Sequence, residues 1–212
     1  MRCHICQNKT ITFHDEKTSV TYYHCKPCEY IFKEPSCYQT IKKQKLRYDL
    51  HENNEEDGEY RAYFQRFLDF VIPLVGKPKN ALDFGCGRSI LLSNMLKFMH
   101  IDTDVYDPIY HPNTAWNTKQ YELIVSTEVF EHLHDPGSIF EQLVERLVSN
   151  GYLAFQTQFH PNEVDAFKKW YYHKDPTHIT FFRRKTFEAL AQKYGCGYIA
   201  DNGKNMIVLK KY

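Results

Sequence analysis

The stretch Ala81-Leu82-Asp83-Phe84-Gly85-Cys86-Gly87-Arg88-Ser89 constrains this chain more than any other. Its first four residues read as a short buried strand, apolar apart from Asp83, and the glycines read as a turn. Gly85 and Gly87 permit backbone angles and a close ligand approach that a β-carbon would forbid. Ile90, Leu91, Leu92, Met95, Leu96 and Phe98 then give the apolar face of a helix whose N-terminus points at the turn. Such an end offers free N–H groups to a ligand carboxylate or phosphate.

A second strand is expected after such a unit. Asp102-Thr103-Asp104-Val105-Tyr106-Asp107-Pro108 supplies it and ends in an acid twenty residues beyond Gly87. A carboxylate there can accept hydrogen bonds from both ribose hydroxyls of a nucleoside ligand. The dinucleotide fingerprint would need a third glycine three residues after Gly87, and Ile90 stands there instead. Tyr121-Glu122-Leu123-Ile124-Val125-Ser126-Thr127 reads as a further strand, followed by Glu128-Val129-Phe130-Glu131-His132-Leu133.

Taken in order, these three motifs resemble the class I S-adenosylmethionine-dependent methyltransferases, over roughly residues 60 to 212. In that family the glycine turn meets the methionine part of the cofactor and the second-strand acid meets the ribose. A Glu-Val-Leu-Glu-His-Leu turn follows the fourth strand, with Phe130 here in the usual leucine position. The resemblance implies an α/β, Rossmann-like three-layer sandwich with a mostly parallel seven-stranded sheet and a C-terminal antiparallel hairpin. It also implies cofactor contacts from Tyr63, Asp83, Gly85, Cys86, Gly87, Asp107, Thr127 and Glu128.

Seven cysteines invite a disulfide reading, but four of them form two C-x-x-C pairs, Cys3/Cys6 and Cys25/Cys28, eighteen residues apart. In a reducing compartment that spacing means metal, and four thiolates satisfy a closed tetrahedral zinc site. Ile11 to Phe13 and Val20 to Tyr23 between the pairs have the composition of a hairpin. A small N-terminal zinc ribbon over residues 1–38 follows, its metal structural because some forty residues could hardly supply a core. His4 and His24 count as neighbours of the ligands, and Cys37 as a possible fifth sulfur.

Residues 39–58 form a polar linker, with Lys42, Lys43, Lys45 and Arg47 ahead of Glu52, Glu55, Glu56 and Asp57. From Glu59 the spacing of Tyr60, Tyr63, Phe64, Phe67, Leu68, Val71 and Ile72 gives an amphipathic helix opening the domain of residues 59–212. In the resembling family such a helix lies over the cofactor, within reach of Tyr60, Tyr63 or Arg66. Only thirteen residues separate Asp107 from Tyr121, so that crossover is abbreviated. A helix over Ile139 to Leu147, a strand from Tyr152 to Thr157 and a helix from Thr186 to Tyr194 follow. Two strands around Asn202-Gly203 then close the sheet as a hairpin.

Methyl transfer requires alignment of an acceptor and removal of its proton, so candidate bases belong just past the strand ends. The His- and Tyr-dense insert Trp170 to Phe182 lies there, as do Glu131, His132 and His134. His178 or His173 is the candidate base or acceptor-orienting group, with His132 facing it. As an alternative, His132, His173, Asp175 and His178 hold a second metal.

Lys+Arg 27 against Asp+Glu 26 leaves a net charge of +1, which favours a small-molecule acceptor over nucleic acid. An rRNA or tRNA methyltransferase using the ribbon for RNA contact, or a non-catalytic docking module, are the other readings. No run of eighteen apolar residues and no signal-like N-terminus is present, so the expectation is a cytoplasmic protein without a membrane partner.

Overall fold

The structure is a computed structural model describing residues 1–49 and 58–212. Glu52, Glu55, Glu56 and Asp57 of the expected linker lie outside the described residues. The chain begins with strands β1 (Ile11–Asp15), β2 (Val20–Cys25) and β3 (Tyr30–Lys33), paired antiparallel in that order. A 3-10 turn at Pro35–Cys37 leads to helix α1 (Ile41–Tyr48), whose N-cap Thr40 accepts from the Lys43 N–H. Part of the expected linker is therefore a capped helix.

Helix α2 (Gly58–Val75) buries Phe64, Phe67, Leu68 and Val71, the face its periodicity set. Then come β4 (Asn80–Phe84), α3 (Leu91–Phe98), β5 (Asp102–Tyr106), β6 (Tyr121–Thr127) and α4 (Pro136–Glu145). They are followed by β7 (Leu147–Gln156), α5 (Val164–Lys169), β8 (Thr180–Phe181), α6 (Arg184–Lys193), β9 (Cys196–Asp201) and β10 (Met206–Lys211). Leu147 opens a strand, where a helical face was expected.

Among the described residues the main sheet has six strands in the order β5-β4-β6-β7-β10-β9, where seven were expected. The four from β5 to β7 are parallel, and β10 runs antiparallel to both its neighbours. The missing strand has a physical cause: between β5 and β6 the chain has room only for a 3-10 turn at Ala115–Thr118. Trp116 of that turn is buried against Phe84 and Tyr106 and covers the edge of the sheet's core. The closing hairpin is present: the Asn202 side chain accepts the N–H groups of Lys204, Asn205 and Met206, and Gly203 takes a φ of +71°.

The N-terminal sheet is completed from far along the chain. β8 pairs antiparallel with β3, through Ile31 with Phe181 and Phe32 with Thr180. Cys3, Ile5, Cys25, Cys28, Tyr30 and Phe32 share one apolar cluster with Leu82, Phe155, Phe182 and Phe187 of the later chain. Polar ties bind the same seam. The Lys33 Nζ donates to the Asp175 carbonyl at 2.9 Å, and the Thr186 hydroxyl to the Cys28 carbonyl at 2.9 Å.

Candidate functional site

The site is built at the carboxyl ends of β4, β5, β6 and β7, where a parallel sheet leaves its ligand crevice. Gly85 has a φ of +78° and sits so close to Val129 that a β-carbon would stand 2.3 Å from its Cγ2. Gly87, at a φ of +66°, has nothing within 4 Å of where a β-carbon would be. One glycine is required by packing and the other faces open space. The Gly87 N–H donates to Asp107 Oδ2 at 3.1 Å, and Asp107 Oδ1 accepts from Ile109 and Tyr110 at 2.8 and 2.9 Å. A carboxylate offers about four acceptor positions. Three backbone bonds fix this one across the turn and leave room for one more.

Asp83, on β4, is fully buried, and burial together with the nearby Asp107 pushes its carboxyl up to about 7. The nearby Ser93 backbone N–H acts the other way on it, and Asp83 Oδ2 has no hydrogen-bond partner among the described residues. The Ser89 hydroxyl takes the Leu91 N–H at 3.2 Å. The helix end is thus partly satisfied by the protein itself, where free N–H groups were expected. Unpartnered buried oxygens of Ser126 and Gln156 lie on the next strands, β6 and β7. Cys86 and Thr127 are half-buried beside this row, and burial pushes the Cys86 thiol up. Open space over Gly87, an orphaned Asp83 oxygen and a spare position on Asp107 fit an adenosylated amino acid such as S-adenosylmethionine.

Glu128 follows β6 with a φ of +53°, a conformation costly for a residue with a β-carbon. Its carboxylate accepts from the Tyr63 hydroxyl at 2.8 Å and the Tyr172 hydroxyl at 2.6 Å. Tyr172 also hydrogen-bonds Glu131, which is fully buried. Burial and the neighbouring Glu131 push Glu128 up to about 8, and burial raises Glu131 as well. Two carboxyls this close cannot both ionise easily, so the pair holds a proton near neutral pH. Tyr63 therefore meets Glu128, while Arg66 of the same helix is exposed.

His132 and His178 face each other, ring centroids 4.8 Å apart. His132 Nδ1 lies 3.0 Å from the Thr177 carbonyl and His178 Nδ1 lies 2.8 Å from the Tyr172 carbonyl. Burial and the facing His132 push His178 down to about 3, so it is neutral. His173 does not join them. It is buried elsewhere, its Nε2 3.0 Å from Asp15 Oδ2 at the end of β1, and it ties the insert to the N-terminal sheet. The Asp175 carboxylate is taken by Arg47 at 3.0 Å and by Thr177, so it does not complete the expected metal set with His173. Tyr48 of α1 packs its ring edge-on to His132, at 5.3 Å, and Tyr110 donates to Asp49 just beyond α1 at 2.7 Å. Sequence reading missed α1 as a wall of the site; the aromatic Tyr48 in a basic run was the available signal.

The four sulfurs of Cys3, Cys6, Cys25 and Cys28 form the other chemical cluster, with Cys3–Cys28 at 3.6 Å, Cys6–Cys25 at 3.3 Å and Cys6–Cys28 at 3.4 Å. Zinc–sulfur bonds of about 2.3 Å place tetrahedral sulfurs about 3.8 Å apart, so the set fits zinc after slight expansion. The thiols also compete for charge: the hydrogen bond from Cys28 lowers Cys3 to about 5, while Cys28 is raised. A dication bound by four thiolates removes that conflict. Cys37 stands outside this set, as do His4 and His24.

Among solved structures, three similar folds are the mitomycin 7-O-methyltransferase MmcR, an O-methyltransferase family protein from Burkholderia thailandensis, and DesVI from Streptomyces venezuelae. MmcR gives a TM-score of 0.51 at 12% identity, over 74% of this chain and 59% of its own. The Burkholderia protein gives 0.52 at 9%, over 79% and 62%, and DesVI 0.52 at 14%, over 82% and 100%. The chain thus spans less than two thirds of the first two. At these identities the likeness is one of fold. No curated protein matches the sequence. Residues 51–200 match the model of the methyltransferase domain family, and the chain belongs to that family.

Proposed function

We propose that the protein transfers the methyl group of S-adenosylmethionine to a small polar acceptor. The observation that carries this reading is the Gly87 N–H bound to Asp107, with open space where a Gly87 side chain would stand. Asp107 would accept one ribose hydroxyl at its remaining position, and the Gly85–Gly87 turn and Asp83 would meet the cationic methionine end. Cys86 and Thr127 would line that end, and Tyr63 would act through Glu128. When bound, S-adenosylmethionine supplies the methyl group as a sulfonium.

His178, with His132 facing it, then orients the acceptor rather than deprotonating it, because burial and the facing ring push His178 down to about 3 and make it a weak base. Glu128, pushed up to about 8, is the better proton acceptor, and the acceptor's proton would end on its carboxylate. Zinc on Cys3, Cys6, Cys25 and Cys28 would be structural, holding the sheet that carries β8 and the insert. A small acceptor is favoured over RNA because the basic run is half spent internally. Lys45 pairs with Asp49 at 2.6 Å and Arg47 with Asp175 at 3.0 Å.

Calorimetric titration with S-adenosylmethionine and S-adenosylhomocysteine, alongside Asp107→Ala, tests the reading. Binding is expected, weakened at least tenfold in the variant. No binding to a folded, zinc-loaded wild type rejects it and leaves a docking module in front.

A further inference from the structure

We infer that Glu131, His132 and His178 form a second metal site, taking a divalent first-row cation beside the proposed methyl-transfer crevice. One donor atom from each of the three residues lies within 4.8 Å of the other two. Bonds of about 2.0–2.2 Å to nitrogen and oxygen bring neighbouring donors to about 3 Å, so small side-chain rotations close the set.

Three independent features point to a ligand here. Glu131 is wholly buried, and its Oε2 has no hydrogen-bond partner among the described residues. An orphaned buried carboxylate oxygen is costly unless something charged reaches it. Both histidines are fixed in the manner of metal ligands. A carbonyl can only accept, so the Thr177 and Tyr172 carbonyls require Nδ1 of each ring to carry the proton. That places the lone pair on Nε2, as a carbonyl behind a ligating histidine does in metal centres. Lastly, the donors sit on braced backbone. The Ile179 N–H donates to the Glu131 carbonyl at 2.7 Å, and the Thr180 hydroxyl to the Phe130 carbonyl at 2.9 Å. The strand β8 that carries Thr180 is locked to β3.

Two imidazoles and a carboxylate suit Zn²⁺, Mn²⁺, Fe²⁺ or Co²⁺, and three protein donors leave positions open for an exogenous oxygen. Both histidines are half-buried, unlike Glu131, so the set is not sealed in the core. The role rests on the methyltransferase reading: the cation would bind an acceptor through oxygen and make its proton easier to lose. The site itself does not depend on that reading. The acceptor class is then an oxygen donor to metal, a hydroxyl flanked by a second oxygen, rather than an amine.

The test is equilibrium dialysis of the full chain against buffered Zn²⁺ at micromolar free concentration, with zinc counted per chain by elemental analysis. Wild type should hold two equivalents, His132→Ala and His178→Ala should each bind the second at least tenfold more weakly, and the double variant should retain one. Truncating half-buried rings leaves Glu131 in place, and thermal melting confirms that the variants fold. One equivalent in wild type, or two in the folded double variant, overturns the site. The same preparations titrated with S-adenosylmethionine separate the two ideas. Cofactor binding without a second zinc removes only the metal, and a second zinc without cofactor binding removes only the methyl-transfer reading.

Discussion

Glu128 shows how one residue sets opposing demands on pH. Its folded pKa is raised to about 8 from the 4.5 of an unperturbed glutamate, by burial first and Glu131 second. The native state therefore holds a proton that the unfolded chain releases between those values. Stability from this group is complete below about pH 4.5 and is lost as pH rises through 8, by up to about 1.4 kcal/mol per pH unit. As the proposed base, Glu128 would gain function over the same rise. We expect kcat/KM to climb through about pH 8 while urea-measured stability falls, and Glu128→Gln to flatten both slopes. A variant with wild-type slopes would move the base elsewhere. Part of the geometry at this scale was legible: the Gly85–Gly87 turn meets Asp107 and the four cysteines converge, both at fixed offsets along the chain, whereas Glu128, expected at the cofactor, is held by Tyr63 and Tyr172. His173 was not separable from His178, because residues five apart in an irregular insert turn to different sides. Only the 3-10 turn at Tyr172–Lys174 decides which.

At the scale of elements, α1 is the segment whose meaning changed most. A basic run reads as a solvated face, and Lys42 and Lys43 are indeed exposed. Arg47 and Tyr48, on its last turn, instead reach the insert and His132. No buried residue anchors α1, so few contacts hold it. Arg47→Ala should cost less than about 1 kcal/mol globally, as partly exposed ion pairs do. It should still speed hydrogen exchange of the α1 amides several-fold by mass spectrometry. Unchanged exchange there would show that the Arg47–Asp175 pair does not hold the helix. The absent seventh strand was visible as a thirteen-residue gap, whereas the two-residue β8 was not, since its partner lies far away in sequence.

For the whole molecule, the core shared by the N-terminal sheet and the methyltransferase sheet predicts that the two melt together. Cys28→Ser should lower the thermal midpoint of the entire chain in a single transition, by several degrees or more. Two separated transitions would show that the N-terminal sheet melts alone. The β3–β8 ladder has a further consequence, for synthesis. The four cysteines lie roughly 150 residues ahead of β8, so a metal that they would hold could be captured before β8 is made. β3, buried at all four positions in the finished fold, must wait for Thr180 and Phe181. That is a delay of roughly 150 residues, about 10–30 s at ribosomal rates. Throughout it, Ile31 and Phe32 form an uncovered strand edge on the nascent chain, open to holdase chaperones and to neighbouring ribosomes' products on the same message.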